Sequence, residues 1–518
     1  MQRKEYVKQI SIALAACAAL AALAGTSIPV RSATAGAAPP QLPAGAPADA
    51  VSQQTLALNG KSYAYTARAG TIELQSQQGQ PNCRMFFTAF TLDGVDPRTR
   101  PVTFFYNGGP GSSTVWLRMG SFGPVRVLTG DAGPSANAPF NIVPNQYSLL
   151  DATDLVFIDA PGTGFSRLEG PGKPDDFYGV DQDMRAFTQF VSRYLSTYGR
   201  WNSPKFLFGE SYGTPRTAVL VDNLQQQGIG INGIVLLSAI LDFNLDWDIN
   251  FTPVAIGGGD WAFPLYLPTE AAASWYHNAL PGPQPALQSL LPQVEQFAMG
   301  EYLNALAQGS RLSPSTYNDV VGKLHQYTGL STQYIRLSNL RIPYWRYLTE
   351  LLRNSGVSMG RLDSRFTSYT LDRIADRPQF DATDSAVDAA FVGAGNFYLR
   401  QMLHYNTTME YLPLVYSVNR QWNWKHNGNV PTNTAQDLAE AMTFNPGLKV
   451  FAAGGYYDMA TPYYATIYTL NHLNVAPLLQ KNITYGFYES GHMVYLHPQA
   501  LAQFHDDLER WYAQTLRR

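Results

Sequence analysis

Cysteine is scarce: two residues in 518, Cys17 and Cys83. If the stretch holding Cys17 is removed, Cys83 stands alone. No internal disulfide is then possible, and a cysteine-based metal site is excluded. Net charge is scarce too, at −3, which removes the electrostatic case for binding nucleic acid or an anionic membrane. Long apolar runs are missing as well. The N-terminal stretch from Ile10 to Ala24 is 15 residues, short of the roughly 20 that span a bilayer. No H-E-x-x-H pair of histidines occurs, so zinc hydrolysis lacks its usual signature, and no Gly-rich loop is followed by the Lys of a phosphate-binding loop. Neither a metal nor a cofactor is expected.

What is present begins with an export pattern. Arg3, Lys4 and Lys8 precede the apolar run, and small residues close it at Ala22-Leu23-Ala24-Gly25. Residues 1–24 are read as a signal peptide and the product as exported, periplasmic or secreted, with no stable membrane span in its mature form. An uncleaved anchor and a lipid on Cys17 are the alternatives. Residues 25–50, rich in Ala, Pro, Gly and Ser, read as a flexible linker.

From Thr55 the pattern alternates like β-strand, with turn signals at Asn59-Gly60 and Asp93-Gly94, so the sheet should start antiparallel. Short continuously apolar runs follow at 102–106, 155–158, 206–208, 234–237, 450–452 and 483–485. Such runs suit parallel strands buried on both faces. Helical patterns lie between several of them, at 181–198 and 216–227, and 499–516 closes the chain. The stretch 244–435 breaks the rhythm with helical segments such as 269–279 and 344–353. It is read as a cap inserted between core parts 51–243 and 436–518.

The sharpest local signal is Gly209-Glu210-Ser211-Tyr212-Gly213, lying between an apolar strand and a helical stretch. A serine on so tight a strand-to-helix turn needs small neighbours two before and two after, and it presents its hydroxyl at the sheet edge. That hydroxyl needs a base, and the base needs an orienting acid. Strand 450–452 runs into Asp458, and strand 483–485 leads to Gly491-His492. This gives Ser211, Asp458 and His492 in the chain order nucleophile, acid, base. Among eight histidines His497 is the nearest rival to His492, and Asp242 is the rival to Asp458. A second signal is Asn107-Gly108-Gly109-Pro110-Gly111-Ser112-Ser113, directly after strand 102–106. Its glycines let backbone approach a substrate, and the N–H groups of Gly109 and Tyr212 are assigned to an oxyanion hole.

Together with Phe157-Ile158-Asp159 to Ser166, and with Gly491-His492-Met493-Val494, these motifs resemble the serine carboxypeptidase family. The resemblance implies an α/β-hydrolase fold with a mostly parallel central sheet and an inserted helical cap. It also implies release of C-terminal amino acids from peptides with a free C-terminus, through an acyl-enzyme. Carried over, Asn107, Gly108 and Glu210 would bind the substrate carboxylate. A carboxyl in that place must hold a proton to donate, so activity should favour acidic pH. The chain departs from the family pattern at Ser112, where a cysteine is usual, at Ser121, where a second glutamate is usual, and at Thr214, where a glycine is usual. An esterase or acyltransferase on the same triad, and a binding protein on an inactive scaffold, are the other readings.

Overall fold

The computed structural model describes residues 48–245, 259–428 and 430–517. The expected signal peptide, Cys17 and nearly all of the expected linker lie outside these residues, as do residues 246–258 of the expected cap. Ala50, the last residue of the expected linker, opens the first strand.

Fourteen strands follow in chain order: β1 (Ala50–Leu58), β2 (Lys61–Gln75), β3 (Pro81–Leu92), β4 (Val102–Tyr106), β5 (Val125–Val127), β6 (Ile142–Pro144), β7 (Asp154–Ile158), β8 (Arg167–Leu168), β9 (Lys205–Glu210), β10 (Gly233–Leu237), β11 (Val357–Met359), β12 (Thr367–Tyr369), β13 (Lys449–Gly455) and β14 (Ile483–Tyr488). Ten form one sheet in the order β1-β2-β3-β7-β4-β9-β10-β13-β14, with β8 beside β3; β5–β6 and β11–β12 are separate hairpin pairs. From β1 to β7 neighbours run antiparallel, and from β7 to β14 they run parallel. The antiparallel start and the parallel remainder are those expected from the sequence. Asn59 and Gly60 take positive φ values of 48° and 75°, as a two-residue turn between β1 and β2 requires.

Strands β4, β7, β9 and β10 are buried along their whole length because both faces are covered, whereas the edge strand β14 exposes Thr484 and Tyr485. Val102, Phe104 and Tyr106 of β4 face one core with Ile234 and Leu236 of β10, while Phe105, Val235 and Leu237 face the other. Helices Val180–Thr197 and Gly213–Gln226 cover the first face through Phe187, Phe190 and Leu220. The C-terminal helix Pro498–Thr515 covers the second face, where Phe504, Trp511 and Tyr512 stack around Phe206, Phe208 and Phe451.

Between β10 and β13 the chain is mostly helical. The helix sensed at 269–279 begins earlier, at Ala262, because the apolar Ala262–Leu267 turn is buried too. The one sensed at 344–353 ends as an α-helix at Glu350. Helices Ala262–Tyr276, Leu287–Phe297, Pro314–Thr328 and Tyr344–Glu350 share a core of their own, built on Tyr266, Val294, Leu324 and Tyr347. The helix Ala382–Phe397 behaves differently. Its Val387, Phe391 and Ala394 join the sheet's second core beside Val115, Met119 and Tyr495. No helix among the described residues is long and apolar enough to cross a membrane.

Candidate active site

In a parallel sheet the loops at the carboxyl ends of the strands are free to carry chemistry. β4 ends just before Asn107, β9 just before Ser211, β13 shortly before Asp458 and β14 shortly before His492. β4 and β10 flank β9, and β13 and β14 follow beyond β10, all parallel, so these loops lie along one edge of the sheet.

Ser211 sits where β9 turns into the helix Gly213–Gln226, with φ +60°. A non-glycine residue in that region carries a strain of about 1–2 kcal/mol. Its amide donates to the Leu237 carbonyl at 2.9 Å, and the Thr214 hydroxyl donates to its carbonyl at 2.7 Å. Thr214, a departure from the family pattern, thus pins the turn. The flanking glycines are required by space. A Cβ on Gly209 would lie 2.1 Å from the Gly213 carbonyl oxygen, and one on Gly213 would lie 2.9 Å from that of Tyr106. A Cβ on Gly108 would lie 2.3 Å from the Tyr212 amide nitrogen, so the Gly-rich loop rests directly on the start of the turn. Among the described residues, the Gly109 and Tyr212 amides donate to no protein group.

His492 and Asp458 meet at the far side. His492 Nδ1 and Asp458 Oδ2 are 2.8 Å apart. Asp458 is fully buried and also accepts from the Ala460 amide at 2.8 Å, the Thr461 amide at 3.0 Å and the Thr461 hydroxyl at 2.8 Å. Burial pushes the His492 imidazole down, but the charge and hydrogen bond of Asp458, with help from Glu210, outweigh it and hold its pKa up. The His492 loop is fixed from behind. Its amide donates to the Leu362 carbonyl at 2.6 Å, and the Ser238 hydroxyl donates to its carbonyl at 2.7 Å. A Cβ on Gly491 would lie 2.4 Å from that of Asp363, whose Oδ2 accepts from the Gly491 amide at 3.1 Å. The rivals do not enter this arrangement. His497 faces Asp131 at 3.6 Å, and Asp242 accepts from the Asn244 side chain.

A cavity of about 280 Å³ is lined by Ser211, His492, Asn107, Gly108, Gly109 and Glu210. Asp458 stands behind His492, outside the lining. A wider groove of about 760 Å³, lined by Gln436, Glu440 and His472 among others, holds none of these groups.

Glu210 is buried against Ser211. Asn107 Nδ2 donates to its Oε1 at 2.9 Å, and the Tyr495 hydroxyl donates to the same oxygen at 3.2 Å. Asn107 is itself held by the Leu117 amide, which donates to Oδ1 at 3.1 Å. Among the described residues, Glu210 Oε2 has no hydrogen-bond partner. Burial, opposed by the His492 charge, raises the Glu210 pKa to about 7. Oε1 thus accepts from two donors, while Oε2 is left unpartnered beside the cavity that Glu210 lines. Ser121, at the place of the second family glutamate, is spent locally: its hydroxyl donates to the Leu117 carbonyl at 2.6 Å. Tyr495 touches Glu210 from the chain segment just after His492.

Sequence reasoning missed Tyr495 and Thr461, which have no motif of their own. It also missed the support under the Gly-rich loop. There Asp159 accepts from the Thr114 amide at 2.8 Å and pairs with Arg118 at 2.9 Å, both side chains being fully buried. That contact accounts for Asp159 in the 157–166 segment.

A sequence model described as serine carboxypeptidase matches residues 62–337, more than half of the chain. Serine carboxypeptidase-like 8 of Arabidopsis thaliana is 26% identical over 214 residues, covering 39% of this chain and 48% of its own length. Carboxypeptidase Y homolog A of Pyricularia oryzae is 24% identical over 301 residues, covering 56% of this chain and 49% of its own. The chain thus spans about half the length of these curated relatives. The crystal structure of a prohormone-processing carboxypeptidase from Saccharomyces cerevisiae superposes with a TM-score of 0.56 at 16% identity, over 87% of this chain and 91% of that one. At such identity the superposition establishes the shared α/β-hydrolase fold. The match over 62–337 takes in the Gly-rich loop, the Asp159 segment and the Ser211 turn, and by it this chain belongs to the serine carboxypeptidase family.

Proposed function

We propose that the protein is a serine carboxypeptidase that releases C-terminal amino acids from peptides. The observation that carries this reading is Glu210: a buried carboxyl beside Ser211, with one oxygen accepting from two donors and one unpartnered among the described residues, in the cavity that also holds His492. The triad by itself does not require a buried acid next to the nucleophile. An exopeptidase needs one that can donate to a terminal carboxylate.

In this account Ser211 Oγ attacks the last peptide carbonyl while His492 Nε2 takes its proton. Asp458 holds the imidazole tautomer and stabilises the imidazolium. The Gly109 and Tyr212 amides receive the charge that develops on the carbonyl oxygen. His492 returns the proton to the leaving amine, which departs as the free amino acid. Water, deprotonated by the same imidazole, then cleaves the acyl-enzyme and restores the Ser211 hydroxyl. Asn107, Gly108 and protonated Glu210 hold the substrate's terminal carboxylate. Glu210 and His492 titrate as a unit, because each charge stabilises the other. The active form keeps the proton on Glu210 and leaves His492 neutral, and a bound carboxylate favours that arrangement at Glu210. Activity should therefore fall above neutrality, where Glu210 loses its proton, and at low pH, where His492 gains one.

We further assign 244–435 as a cap over the sheet domain, 1–24 as an export signal and 25–50 as a linker. The apolar run behind a basic start supports export, and the separate helical core between β10 and β13 supports the cap.

Incubation with a peptide of about ten residues, read by mass spectrometry, tests the reading. It should give a ladder shortened one residue at a time from the C-terminus, and Ser211→Ala should give none. Internal fragments, or ester turnover with intact peptide, would remove the assignment.

A further inference from the structure

Two carboxylates of the active-site cavity take no part in the hydrolysis above. Asp384 and Asp388 are four residues apart on the helix Ala382–Phe397, hence on one face, and both line the cavity that holds Ser211 and His492. The wall beside them is aromatic. Trp116 Nε1 donates to Asp388 Oδ1 at 3.3 Å, and Tyr416 lines the same space. The third acid of this helix end, Asp381, is occupied: it caps the helix by accepting from the Thr383 amide at 2.8 Å and accepts from the Arg361 and Leu362 amides at 3.1 and 3.0 Å. A polar ligand is also indicated independently, because Glu210, 3% exposed, lines this cavity and its Oε2 has no hydrogen-bond partner among the described residues.

Arg361 lines the same cavity and offsets part of the negative charge, and the two carboxyls outnumber it there. Burial, and then the charges of Asp381 and Asp388, hold Asp384 up at about 8, although Arg361 and His492 pull it down. Burial, against the Trp116 hydrogen bond, holds Asp388 at about 6. A positive group between aromatic planes and two half-buried carboxyls relieves desolvation and repulsion together. The position is also defined. Trp116 lies on the helix Val115–Gly120, whose Leu117 amide holds the Asn107 side chain. The acid pair therefore flanks the end of the cavity that reads the terminal carboxylate.

We propose that Asp384 and Asp388 select substrates whose C-terminal residue bears a cationic side chain, lysine or arginine. This rests on the carboxypeptidase reading. The test is the ratio of kcat/KM for a blocked dipeptide ending in lysine to one ending in leucine, with the penultimate residue fixed. A ratio is independent of the fraction of folded enzyme. The wild type should favour lysine by about tenfold or more. Asp388→Asn, which keeps an oxygen for Trp116, and Asp384→Asn should each bring the ratio towards one. A wild-type ratio at or below one, an excess unchanged in both variants, or an excess for lysine only when it is penultimate, would overturn the proposal. Failure of both dipeptides while an ester is turned over would instead remove the carboxypeptidase reading, and this selectivity with it.

Discussion

At Glu210 the proton decides what the side chain can do. Ionised, it repels a substrate carboxylate; protonated, it donates to it. Because burial raises its pKa to about 7, the donating form prevails below that value. The kcat/KM for peptides with a free C-terminus should accordingly fall as pH rises through about 7, as a pH–rate profile would read. Glu210→Gln cannot ionise, so its profile should lose that alkaline limb. The same upward shift makes Glu210 favour the folded state most below its ordinary pKa of 4.5, and that contribution is lost as pH climbs through about 7. Ser211 offers a second residue-scale test. Ser211→Ala and His492→Ala should each lower kcat by about 10⁴–10⁶. Ser211→Gly should be equally inactive but about 1 kcal/mol more stable than Ser211→Ala in denaturant melts, because only glycine accepts φ +60° without strain.

At the scale of elements the site depends on loops that touch without side chains between them. Gly108→Ala would drive a Cβ into the Tyr212 amide. It should lower kcat by about 10²–10³ by spoiling the oxyanion donors, while circular dichroism shows the sheet intact. This is also the scale at which the sequence was most informative. The six apolar runs became β4, β7, β9, β10, β13 and β14; in the interior strands this is because a strand covered on both faces must be apolar, while β14 is a partly exposed edge strand. The Ser211 turn was legible because its glycines are sterically required. Tyr495 and Thr461 were not, because they act through contacts that only the folded loops create. Asp384 and Asp388 were hidden for a related reason: an i, i+4 acid pair on a helix reads as a solvated face until the fold turns it towards a cavity.

At the scale of the molecule, the C-terminal helix closes the second core. Trp511, 4% exposed, packs on Phe206 of β9 and Phe451 of β13, the strands that lead to Ser211 and Asp458. Trp511→Ala should cost about 3–5 kcal/mol in chemical denaturation. The chain between β10 and β13 reaches the site through Leu362 and Asp363, which hold the His492 loop, and through the Ala382–Phe397 helix. This segment thus helps to shape the cavity.

The central claim is that Ser211 attacks the last peptide bond because Glu210 and Asn107 hold a free carboxylate beside it. The most direct measurement is kcat/KM for one blocked dipeptide as the free acid and as the C-terminal amide, at mildly acidic pH. The account predicts that amidation lowers it by about a hundredfold or more, as expected when buried polar groups lose their partner. Equal cleavage of acid and amide would contradict it.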